Sequence, residues 1–69
     1  MSPHAQRELE HIILKMSRGE RTTTAGLTTY LRHLYHCPTK GEIGVWCRSC
    51  PYLEYDQETR EYIRVPRRR

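Results

Sequence analysis

All three cysteines and two of the four histidines of this chain fall within eighteen residues, as His33-Leu34-Tyr35-His36-Cys37 and then Cys47-Arg48-Ser49-Cys50. Thiolates and imidazoles gathered at such spacing suit a tetrahedral zinc ion. Cys47 and Cys50 form a Cys-x-x-Cys pair that can wrap one edge of the metal through a tight turn. The other edge then needs Cys37 and one histidine. On a helix, His33 and Cys37 lie one turn apart on adjacent azimuths, beside the stripe made by Leu27, Leu31 and Leu34. His36 points nearly opposite that stripe and joins the site only if Pro38 unwinds the helix end. The expected ligand set is therefore His33, Cys37, Cys47 and Cys50, with His36 as the alternative to His33, around one structural Zn2+.

A chain of 69 residues with 36% apolar side chains and no phenylalanine has little from which to build a core. Cores of this size rarely supply more than about 3–5 kcal/mol, so small domains commonly carry a staple. Zinc binding is worth about 10–16 kcal/mol in finger peptides and would cover such a deficit. A disulfide framework fits less well, because three cysteines cannot all pair within one chain. The expectation is an intracellular protein in a reducing compartment, cytoplasm or nucleus. No apolar run approaches the length of a membrane span or a signal-peptide core. A redox role for Cys-x-x-Cys usually needs a βαβ setting, which is lacking here. Four ligands imply a closed metal site, and no His-Glu-x-x-His, deaminase pattern or phosphate-cradling glycine loop is present, so no enzyme and no small-molecule substrate are expected.

Ser2-Pro3 reads as a helix start, with a hydroxyl cap and proline at the first helical position. Leu9, Ile12, Ile13 and Met16 follow at helical spacing, and a helix is expected over 3–18, ended by Gly19. A polar turn over 19–24 leads to a second helix over about 24–36, with Leu27, Tyr30, Leu31, Leu34 and Tyr35 on one face; Pro38 disfavours helix at Cys37. Gly41 and Gly44 bracket a turn into the zinc turn, and the zinc turn with its hairpin spans about 43–65. Tyr52–Tyr55 and Glu61–Val65 alternate apolar and polar residues around an Asp56–Thr59 loop, which predicts an antiparallel hairpin within a sheet of two or three strands. The fold class is α+β: a single zinc-stabilised domain over 1–66, made of a helical hairpin and a metal-anchored β-hairpin, with a basic tail over 67–69.

The stretch Cys47-Arg48-Ser49-Cys50-Pro51-Tyr52 with its following hairpin, about residues 45–65, resembles the second half of a zinc ribbon. Where the ribbon's first Cys-x-x-Cys would stand, the chain has Cys37-Pro38-Thr39-Lys40, so a helix-borne histidine would take the missing position. The resemblance implies a module associated with the transcription machinery.

Net charge is +4 and the sequence pI is about 9.3. The excess suits nucleic acid, with Arg48, Arg60, Arg64, Arg67, Arg68 and Arg69 as phosphate-binding residues and Tyr52, Tyr55 and Tyr62 as stacking faces. Glu54, Asp56, Glu58 and Glu61 in the same hairpin oppose this. The competing expectation is an adaptor that docks on a larger protein through Leu9, Ile12, Ile13, Leu14 and Met16, a face that also allows homodimerisation. The sequence thus points to a non-enzymatic zinc-binding regulator acting on nucleic acid or on a nucleic-acid-handling protein, with no membrane partner. Its brevity suits a viral or phage accessory protein.

Overall fold

The computed structural model describes residues 1–68. Helix α1 spans Pro3–Lys15, strand β1 Arg21–Thr22, α2 Thr24–Leu31, α3 Lys40–Ser49, β2 Leu53–Asp56 and β3 Glu61–Arg64. The strands form one antiparallel sheet in the order β1-β3-β2, so the last strand is central. The architecture is α+β, with three helices packed on a three-stranded sheet.

The first helix starts where its cap dictates. Ser2 Oγ accepts from the Ala5 N–H at 3.2 Å and Pro3 occupies the first turn. Ala5, Leu9 and Ile13, four residues apart, form its fully buried line. It ends at Lys15, three residues before the expected end. Gly19, at φ +86°, then turns the chain into β1, donating to the Arg64 carbonyl at 2.7 Å while Arg64 donates back to Glu20. The positive φ explains the glycine. What reads as a polar turn is therefore partly a sheet edge.

The second helix is capped by Thr23, whose Oγ1 accepts from the Gly26 N–H at 3.0 Å. It stops at Leu31 rather than near His36. Beyond Leu31 only Leu34 is even half-buried among residues 32–37, so a longer helix would order residues without burying apolar surface.

The largest departure is α3. Residues 40–49, expected to hold a turn at Gly41 and Gly44 and a zinc turn after Trp46, are helical. Thr39 and Glu42 make a capping box: Thr39 Oγ1 accepts from the Glu42 N–H at 3.2 Å, and the Glu42 carboxylate accepts from the Thr39 N–H at 3.0 Å. Ile43 and Cys47, with Cys50 just past the helix end, face the core. Cap and buried face together outweigh the cost of two glycines. Cys47 therefore sits in the last helical turn and Cys50 caps it, in place of the expected turn.

The expected hairpin forms, with Asp56 in β2 rather than in the loop and β3 ending at Arg64. Its register pairs Leu53 with Arg64, Tyr55 with Tyr62 and Asp56 with Glu61. Residues directly opposite share a sheet face. Leu53, Tyr55, Tyr62 and Arg64 thus occupy one face, and Glu54, Asp56, Glu61 and Ile63 the other. The first face closes the core of Leu9, Ile13, Leu27, Leu31, Ile43, Cys47 and Cys50 through Leu53 and Tyr62. Among the described residues no helix is long and apolar enough to cross a membrane.

Candidate nucleic-acid interface

Because one side of α3 is committed to the core by Ile43 and Cys47, positions 40, 41, 44, 45 and 48 form a stripe on the other. The stripe faces an open groove of about 440 Å³, walled by the hairpin on one side and by Thr24 at the start of α2. Lys40 and Arg48 enter it from α3 and Arg60 from the hairpin loop, which we call the wing. Among the described residues, none of these three cations has a salt-bridge partner, and no acidic side chain lines the groove.

The acidic side chains of the hairpin lie elsewhere. Arg21 Nη1 sits 3.0 Å from Asp56 Oδ2 and 3.2 Å from Glu61 Oε1, and also donates to Thr59 Oγ1 at 3.1 Å. This cluster occupies the sheet face turned away from the helices. Arg21 holds the Asp56 carboxyl below its ordinary value, against the opposing effect of desolvation. Of the charges expected to repel phosphate, Asp56 and Glu61 are thus paired with Arg21, Glu54 is exposed on that same back face, and Glu58 is exposed in the hairpin loop.

The wing is shaped by local hydrogen bonds. Asp56 Oδ1 accepts from the Glu58 and Thr59 N–H groups at 3.0 and 3.4 Å, and Arg60 donates to the Asp56 carbonyl at 2.8 Å. Arg60 takes a left-handed φ of +59° and projects from the tip, exposed. Tyr55 stands beside the groove, 40% exposed, its ring centroid 5.0 Å from that of Tyr62. Tyr62 is buried and donates from its hydroxyl to the Gly44 carbonyl at 3.4 Å. Burial raises the Tyr62 hydroxyl above its ordinary pKa, Cys47 adds to this, and Arg48 pulls it back.

No protein-family model, curated protein sequence or solved structure matches the chain.

The six arginines expected to bind nucleic acid divide. Arg48 and Arg60 line the groove, while Arg64 belongs to the fold. Its Nε donates to the Ile13 carbonyl at 2.9 Å, its Nη1 to Val65 O, and its guanidinium lies 5.0 Å from the Tyr52 ring centroid. Arg67 also lies over Tyr52, and Arg68 donates to the Cys50 carbonyl at 2.9 Å, so this part of the tail folds onto a different surface, near Leu14 and Trp46. Arg69 lies outside the described residues. Tyr52 is covered by these arginines, and of the three tyrosines only Tyr55 is left as a free face. Sequence reasoning missed Lys40, Thr24 and the glycine face of α3. Their signal was the Thr39-x-x-Glu42 capping box directly after Pro38, followed by Ile43, Trp46 and Cys47 at helical spacing.

On the docking face of α1, Leu9 and Ile13 are fully buried in the protein's own core and have no surface left for a partner. Ile12 and Met16 are half-buried beside Tyr30, and only Leu14 is exposed.

The expected metal ligands are not brought together. Cys47 and Cys50 are both buried, one in the last turn of α3 and the other at its C-cap. Cys37 is exposed, its thiol 3.5 Å from the Pro38 carbonyl. His33 is exposed, and His36 packs on the Tyr35 ring at 4.5 Å between centroids. Among the described residues no group of three or more His, Cys, Asp or Glu side chains is placed to hold a metal ion. Burial, with a smaller contribution from Cys50, pushes the Cys47 thiol up to about 12. A thiol held so high stays protonated at neutral pH and is a poor nucleophile.

Proposed function

We propose that this chain is a non-enzymatic, regulatory DNA-binding module that seats α3 in the major groove of a duplex and lays its wing along the flanking phosphate backbone. The observation that carries this reading is the groove itself, where Lys40, Arg48 and Arg60 converge without salt-bridge partners while Asp56 and Glu61 are tied to Arg21 on the opposite sheet face. Cations in that position neutralise phosphates and release counterions.

The elements suit the same ligand. Helices α2 and α3 are consecutive and pack on each other, the order of elements in a helix-turn-helix, with a connection, Arg32 to Thr39, longer than the usual three or four residues. In such pairs the second helix enters the major groove, with its first turns toward the base edges. With its side chains an α-helix is about 10–12 Å across, which fits a major groove about 12 Å wide. Lys40 and Val45 are then the side chains nearest the bases, and Arg48, in the last turn, meets a backbone phosphate. The architecture is an analogy and adds to the charge placement without replacing it.

The test is fluorescence anisotropy with a labelled mixed-sequence DNA duplex at a series of salt concentrations. Binding is expected to fall steeply with salt, and Arg48→Ala is expected to reduce the log–log salt slope by about one. Removal of Arg67 to Arg69 is expected to change it less than Arg48→Ala does. An absence of binding at low salt, or an Arg48→Ala variant that binds as the parent does, overturns the reading.

A further inference from the structure

Glycine inside a helix costs stability, and α3 carries two on its groove face. Packing does not require either one. A Cβ added at Gly44 would lie 3.7 Å from the Thr24 methyl, and one at Gly41 would lie 3.8 Å from Thr39 Oγ1, both ordinary van der Waals contacts. Neither residue has a positive φ among those of the chain that do. Alanine at both positions would make a better helix without touching the core. Gly26 in α2 differs, since a Cβ there would crowd Thr23 Oγ1 at 3.3 Å.

Arg60 breaks a local rule in the opposite sense. Its left-handed backbone is one that glycine, asparagine or aspartate adopts at lower cost, yet the position holds a long cation with no salt-bridge partner among the described residues. Three residues that are locally unfavourable thus face one groove, together with Lys40 and Arg48. Where local preference fails in this way at one surface, contact with a ligand is the expected reason.

We infer that Gly41 and Gly44 leave the α3 backbone bare so that the wall of the DNA groove lies directly against it, and that Arg60 is kept at the wing tip to clamp the adjoining phosphate. This rests on the DNA-binding reading above and goes beyond it by naming where the helix and duplex are in closest contact. A methyl group at Gly44 would hold the duplex away from the backbone without altering any charge.

The experiment measures thermal stability and affinity side by side for the full chain and for Gly44→Ala, Gly41→Ala and Arg60→Asn, with the same labelled duplex. Gly44→Ala is expected to raise Tm by about 4 °C and to weaken binding by about tenfold with the salt slope unchanged, since a clash carries no counterion term. Gly41→Ala, in the first turn, is expected to weaken binding in the same way. Arg60→Asn is expected to keep or raise Tm while the salt slope falls by about one. If the parent binds, Arg48→Ala binds less well and both alanine variants bind as the parent does, the close-contact inference is overturned and the DNA-binding reading stands. If the parent binds no duplex, both fall.

Discussion

Replacing Thr39 by alanine removes the hydroxyl that accepts from the Glu42 N–H at 3.2 Å, and with it half of the box that starts α3. Loss of a hydroxyl cap costs about 1 kcal/mol, within a range of about 0.5–2. For a domain of this size each kcal/mol moves Tm by about 4–8 °C, so thermal denaturation followed by circular dichroism should show a drop of about that amount. The other half of the box is Glu42. Its carboxyl is held below its ordinary value, first by the Thr39 N–H, so a depressed group contributes stability that is present above its unfolded pKa of about 4.5 and lost as pH falls through the folded value. The penalty of Thr39→Ala and that of Glu42→Gln should therefore be less than additive at neutral pH, and Glu42→Gln should become silent in strong acid. A Thr39→Ala protein with unchanged Tm and unchanged helical signal would show that α3 does not begin at this cap.

Three further outcomes follow from the same contacts. Asp56, held below its ordinary carboxyl value by Arg21, stabilises the hairpin above pH about 4 and loses that contribution as pH falls through its lowered value, so Arg21→Ala should flatten the acid limb of a Tm–pH curve. Arg64→Ala removes a charge-assisted bond to the Ile13 carbonyl and should cost about 1.5 kcal/mol in urea denaturation, while leaving the salt slope of DNA binding where it was. Cys47→Ser places a hydroxyl in the core and should cost about 1–3 kcal/mol, whereas Cys37→Ser, exposed, should stay within about 0.5 kcal/mol. Equal penalties at the two cysteines, with one zinc per chain by elemental analysis, would mean that His33 or His36 and Cys37 join the Cys47 and Cys50 thiols and that the Arg32–Thr39 connection folds differently.

Much of the fold is legible in the chain because it is written in local chemistry. Ser2-Pro3 fixes the start of α1, and the alternation around Asp56–Thr59 fixes the hairpin. The two-residue β1 has no periodicity of its own and exists only because β3 offers it partners, as the Gly19 and Arg64 bonds show. Helix α3 is harder for a different reason. Gly41 and Gly44 argue for a turn, and two cysteines three apart suit a metal knuckle as well as the inner face of a helix. The capping box decides between them, together with burial that only the tertiary structure supplies. The interface is divided in the same way. Arg48 and Arg60 can be identified as basic residues from the sequence, but their convergence with Lys40 depends on α3 lying beside the wing. Arg64 is as basic as either, yet it is consumed by the end of α1, a contact across 51 positions of sequence that no local pattern encodes.

The most direct test is to titrate isotopically labelled protein with a short DNA duplex and follow the backbone amide shifts. Binding through α3 and the wing should produce the largest changes at Lys40, Gly41, Gly44, Val45, Arg48 and Arg60, with Leu14 and the Arg67–Arg68 surface little affected. Changes centred on α1 or on the residues that follow β3, with the α3 face silent, would contradict it.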